Sequence, residues 1–201
     1  MQEKESRPFD PESVNKLIRA RRSVFVNQLI PGKQIPESII LEILENANWA
    51  PTHKQTEPWR FIVFSGKGLE KLALFQAGLY KSTAREKFKE DKYRKLVENP
   101  LKCSHVIAIG LKRSASSLIP EMEEIAAVAC AVENIYLSVT AYGLGGYWTT
   151  GGVTYVQEAK SFFNLNSEDI LMGFFYLGYV AIPSPKGTRK PVSEKIQWVS
   201  E

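Results

Sequence analysis

The chain has 201 residues, 44% hydrophobic and 24% charged, a balance that suits one domain with a substantial core and excludes wholesale disorder. Its net charge of +4 is mild, and basic and acidic residues alternate across 81–98, so a solvated helix face explains that stretch better than a nucleic-acid footprint. Residues 1–10 are polar and partly acidic, unlike a secretory leader, and no apolar run reaches the roughly eighteen residues of a membrane span.

Asp10-Pro11-Glu12 reads as a helix cap with proline at the first helical position, and Val14, Leu17 and Ile18 carry helical spacing up to Arg21. Pro36 opens a second helix with Ile39, Ile40, Ile43, Leu44 and Ala47 on one face, ended by Pro51. Residues 60–65, rich in Phe, Ile and Val, suit a buried strand closed by Gly66 and Gly68. Two exposed helices are expected over 69–80 and 83–97, then a short strand over 106–111. Residues 125–142 hold Ala126, Ala127, Ala129, Cys130, Ala131 and Ser138; a helix that small and apolar on most faces is expected to be buried. Gly143-Leu144-Gly145-Gly146 stops it, and 147–152 form a strand or turn. Thr154 and Gln157 form a capping box for a helix to Phe163, residues 171–180 a central strand, and the tail 183–201 closes in an extended end at 195–199. No repeat or linker divides residues 1–201, which read as a single domain. Cys103 and Cys130 each sit in an apolar run, and buried free thiols in a reducing cytoplasm are the expectation.

Three segments carry candidate chemistry. Arg21-Arg22-Ser23 offers two guanidinium groups and a hydroxyl to one point, which suits a phosphate dianion; a basic helix C-terminus explains the same residues, and Arg19 favours that plainer reading. The loop 50–61, stiffened by Pro51 and Pro58, presents His53, Lys54, Gln55 and Thr56, while Trp59 reads as a core anchor. Residues 143–152 hold five glycines beside Trp148-Thr149-Thr150, where backbone can approach a flat ligand, or simply connect helix to strand. H-E-x-x-H, Cys-x-x-Cys, G-x-S-x-G and the Walker loop are all missing, so chemistry here falls to a cofactor.

Arg21-Arg22-Ser23, the P-x-H-K-x-x-x-P-W-R-F loop at 51–61, the Asn134-containing helix running into 143–152, and Gly-Thr-Arg-Lys-Pro at 187–191 together resemble the FMN-dependent nitroreductase family, over nearly the whole chain. The resemblance implies an α+β fold with a central mixed, mainly antiparallel sheet flanked by helices. It implies an interlocked homodimer with FMN sites in the interface, the tail of each subunit embracing the other. It implies that Arg21, Arg22 and Ser23 hold the ribityl-phosphate end with Arg189 and, more weakly, Lys186. Gln55 meets the pyrimidine edge, His53 reaches FMN across the interface with Trp49 near the entry, and Trp148, Thr149, Thr150 and Gly151 run beside the ring. The implied activity passes electrons from NAD(P)H to nitroaromatics or quinones by a ping-pong exchange at flavin N5, with no catalytic side chain, no metal, no nucleic acid and no membrane. A flavin or pteridine reductase of the same fold, a non-enzymatic flavin-binding sensor and a basic nucleic-acid-binding module are the alternatives. Two positions depart from the family pattern: Phe25 stands where many members carry a basic residue, and Glu57 where a Gln is frequent.

Overall fold

In this computed structural model, which describes residues 9–115 and 118–200, the apolar runs at 106–111 and 171–180 become the inner strands of a four-stranded sheet, whereas 60–65, expected to be buried, forms a half-exposed edge strand. The sheet order is β1 (Trp59–Ser65), β2 (His105–Leu111), β4 (Ile170–Tyr179), β3 (Leu144–Thr149), and each described pairing is antiparallel. Every residue of β2 is buried, as a strand covered on both faces requires. The polar stretch 1–8 lies outside the described residues.

One sheet face carries α2 (Glu37–Asn48) and α5 (Glu121–Ala141), whose Ile43, Val128 and Ile135 meet Ile107, Ile109 and Phe175. The other carries α3 (Lys67–Ala84), α4 (Glu90–Leu101) and a 3₁₀ segment, Gln157–Phe163, over Val106, Ala108, Phe174 and Tyr176. The first helix, α1 (Pro11–Ala20), starts as its sequence dictates: the Asp10 carboxylate accepts from the Glu12 and Ser13 N–H groups at 3.2 and 2.9 Å. Hydrogen bonds from Ser13 and Glu12 hold that carboxyl below its usual range.

Several expectations need correction. The helices at 69–80 and 83–97 are neither simple nor merely exposed. α3 buries Leu72, Gln76 and Tyr80, its charged outer face having masked the apolar period, and the chain breaks at Arg85, where φ is 44°. α5 begins a turn earlier than expected because Glu121, Glu123 and Glu124 suit the positive end of its dipole. It is long and apolar enough to cross a membrane by length and composition, yet it serves as the core helix of the sheet. It is not buried all round: Met122, Ala126 and Cys130 face outward, so Cys130 is an exposed thiol while burial pushes Cys103 up to about 12. The Thr154–Gln157 box does not form, since Thr154 Oγ1 donates to the Gly151 carbonyl at 2.8 Å and leaves Val156 as cap. The tail makes a 3₁₀ turn at Val192–Lys195 and then runs exposed, unpaired with the sheet among the described residues.

Candidate functional site

Helix α1 ends where Arg21 swings to φ −53°, ψ 131° while its N–H still reaches the Leu17 carbonyl at 3.2 Å. The chain then crosses β3, and the Val24 N–H donates to the Gly146 carbonyl at 2.9 Å. That crossing depends on glycine. A Cβ at Gly145 would stand 2.7 Å from Val180 and 2.8 Å from Val24. Small residues in β3 thus fix where the Arg21-Arg22-Ser23 turn sits.

The C-terminal tail folds back onto this turn. The Arg22 guanidinium donates to the Arg19 and Arg21 carbonyls at 2.7 and 2.6 Å, and its Nε to the Pro185 carbonyl at 3.3 Å. Ser184 Oγ donates to the Ser23 carbonyl at 3.2 Å. At Gly187 the backbone lies so close to Arg22 that a Cβ would be 2.7 Å from its Cζ. The result is an open cleft of about 1100 Å³ with six basic side chains, Lys16, Arg19, Arg21, Arg22, Lys186 and Arg189, and two carboxylates, Glu12 and Glu133. Lys16 pairs with Glu12 at 2.7 Å and Arg21 with Glu133 at 3.5 Å, which leaves a cationic surplus suited to a dianion.

A second group adjoins it. Arg21 lies 4.8 Å over the Tyr136 ring. The Tyr136 hydroxyl accepts the Trp148 N–H at 2.7 Å and stands 3.4 Å from Ser23 Oγ. The Trp148 indole donates to the Met172 carbonyl at 2.9 Å, and the Gly151 N–H to Thr149 Oγ1 at 3.3 Å.

The loop after α2 is held differently. Lys54, Gln55 and Glu57 have φ of 48°, 53° and 43°, a cost of roughly 1–3 kcal/mol each for side-chain-bearing residues. His53 Nδ1 meets the Glu123 carboxylate on the first turn of α5, and the Gln55 amide makes no hydrogen bond among the described residues. Trp49 caps α2 with its ring 79% exposed, its indole donating to Glu45 at 3.0 Å.

Residues 18–179 match the Nitroreductase family. The chain belongs to the nitroreductase family.

A relative is YdjA of Escherichia coli strain K12, to which an NAD(P)H nitroreductase activity is ascribed; it is 30% identical over 137 residues, 68% of this chain and 73% of that one. The nitroreductase-like family protein from Bacillus cereus superposes with a TM-score of 0.79 at 24% identity, covering 94% of this chain and 96% of that one. The FMN-dependent nitroreductase NfnB of Mycobacterium smegmatis, crystallised with NADPH, gives 0.73 at 16% identity, covering 94% and 99%. The fold is therefore the nitroreductase-like α+β arrangement.

Within this nitroreductase fold, one chain gathers Arg21, Arg22, Lys186 and Arg189 into a single cleft and links Ser23 to Trp148 through Tyr136. It does not bring Trp49, His53 and Gln55 there. Glu123, which holds His53, and Glu133, which holds Arg21, are ten residues apart on α5, roughly 15 Å by helical rise. Thr150 is exposed, whereas Thr149 and Gly151 border a separate pocket. Phe25 packs its ring 5.1 Å from Tyr147 instead of adding charge. Asn134 ties two helices together, donating to the Asn46 carbonyl at 2.9 Å. Tyr136 and Glu133 were missed by the sequence reading, although their i, i+3 spacing on a helix facing a cationic turn was there to find.

Proposed function

We propose that this nitroreductase-family chain is an FMN-dependent oxidoreductase that passes electrons from NAD(P)H to small electron-poor acceptors, such as nitroaromatics or quinones, by a ping-pong exchange. The observation that carries the reading is the union of the Arg21-Arg22 turn with the tail at 186–189 in one cationic cleft. The donor set fits FMN: fixed positive charge for its phosphate, and a backbone stretch at 148–151 close by for a flat ring. When bound, FMN supplies the two-electron chemistry.

The chain's own residues bind, orient and exclude water. Arg21, Arg22 and Arg189 hold the phosphate, Lys186 adding charge, with Ser23 on the ribityl chain. Trp148, Thr149, Thr150 and Gly151 lie along the ring, Trp148 being fixed by its backbone N–H on Tyr136 and its indole on Met172. His53, Gln55 and Trp49 complete the site from a second subunit, which accounts for their distance from the cleft of their own chain. Preorganised donors of this kind need not reorganise during reaction. The printed names of YdjA and NfnB support the same reading.

The homodimer in this proposal is supported by apolar surface left open on one chain: Val14 and Ile18 of α1, Met122 of α5, and Trp198, 87% exposed, in the tail. The exposed Cys130 thiol suits a reducing cytoplasm. Anaerobic titration of the purified protein with NADH and then NADPH, followed by a panel of acceptors, tests the activity. Bleaching of the flavin band and its recovery on adding a nitroaromatic or quinone is expected. Flavin that binds but is reduced by neither nicotinamide assigns a sensor instead.

A further inference from the structure

Behind β3, on the sheet face that packs α3 and α4, lies a second pocket of about 150 Å³. It touches Thr149 and Gly151 from the side away from α5 and shares no other residue with the arginine cleft's surroundings. Its volume is roughly five times the ~30 Å³ share of one water. That is room for a small polyatomic ligand.

The walls are unusual in chemistry for an interior. Gln76, 1% exposed, lines the pocket, and its Nε2 is the buried side-chain donor without a hydrogen-bond partner among the described residues. Its amide is close enough to the Tyr176 hydroxyl to influence that group, yet Nε2 itself is unmatched. Buried polar groups are nearly always paired, so an unmatched amide in the wall of a cavity marks a place for an acceptor. Around it stand Asn99, Tyr147 and Tyr176, with Lys92 and Lys95 at the mouth. Burial pushes the Tyr147 phenol up to about 12 and raises Tyr176 further, so both keep their protons and can donate. Among the described residues no carboxylate lines the pocket and neither lysine is paired with one, although Lys92 Nζ lies 4.6 Å over the Tyr80 ring. The pocket lining therefore offers donors and positive charge, the nearest carboxylates being Glu90 and Asp91 on the outer side of the same two lysines.

We propose that this pocket binds a small oxyanion, of phosphate or short-carboxylate size, at a site separate from the arginine cleft. The Gln76 amide and the two phenols supply hydrogen bonds, and Lys92 and Lys95 supply charge at the entrance. Because Thr149 and Gly151 form one wall, an occupant braces the 149–152 turn from behind.

Inorganic phosphate is the probe. Isotope-labelled full-length protein is titrated at constant ionic strength while NMR follows the Gln76 side-chain amide, the Gly151 N–H and the arginine side chains of the cleft. A saturable shift at Gln76 and Gly151 is expected, with at least tenfold weaker binding in the Lys92→Ala/Lys95→Ala double variant, whose two changes are on the surface. The proposal is overturned by shifts confined to Arg21, Arg22 and Arg189, by an equal response to chloride, or by unchanged binding in the double variant. The readout is local to Gln76 and stands whether or not the protein binds flavin.

Discussion

The Tyr136 hydroxyl joins two parts of the candidate site, since it accepts the Trp148 N–H and faces Ser23 beneath the Arg21 guanidinium. Tyr136→Phe leaves that half-buried N–H without its acceptor, a cost of about 1 kcal/mol. Chemical denaturation should show the loss, with weaker FMN retention beside it. Gly187→Ala is a sharper probe of the cleft. Its new Cβ meets Arg22 Cζ at 2.7 Å, so the guanidinium must leave the Pro185 carbonyl. FMN affinity is expected to fall about tenfold, or ~1.4 kcal/mol, by equilibrium dialysis, with the fold unchanged. His105 makes a separate prediction. It is buried beside Ser104 Oγ at 2.8 Å, and desolvation lowers it below the ordinary 6.5. As pH falls through 6.5 the unfolded chain takes up a proton before the folded one, so stability present above that pH is lost below it. Urea midpoints measured on either side of 6.5 should show this fall, and His105→Gln should flatten it.

At the scale of elements, β2 and β4 were legible because a strand covered on both faces must be continuously apolar, and 106–111 and 171–180 are. The cap at Asp10 and the stop at 143–146 were equally plain, each resting on one residue's local chemistry. The break at Arg85 was not, because nothing in Ala84-Arg85-Glu86 disfavours a helix locally; the neighbouring Tyr80 hydroxyl, accepting from the Lys89 N–H at 2.9 Å, fixes how α4 restarts. The start of α5 was missed for a related reason. Glu124 looks like a surface residue in sequence, yet it is 1% exposed, joined to the Arg113 guanidinium and accepting the Ser114 N–H at 2.9 Å. Glu124→Ala leaves the Ser114 N–H unmatched and Arg113, 23% exposed and 3.8 Å from Glu121, without its inner partner, so a loss of about 1–3 kcal/mol in urea is expected. Replacement of exposed Glu158 serves as the control, with little effect expected.

For the whole molecule, the meeting of chain ends was beyond local reading. Arg22 and Pro185 are 163 residues apart, and only the family resemblance placed the closing Arg189 beside the opening arginines. The same resemblance named His53, Gln55 and Trp49, which one chain leaves far from the cleft, so their role stands or falls with the dimer. Cys130→Arg, which sets a charge on the outward face of α5, should give monomers by sedimentation and release FMN with them. The most direct measurement of the central claim is FMN stoichiometry after exhaustive dialysis, for the wild type and for Arg22→Ala side by side. Near one FMN per chain in the wild type, with most of it lost from a still-folded Arg22→Ala, is the predicted result. Equal occupancy in the two proteins, or a wild type that takes up no FMN, would contradict it.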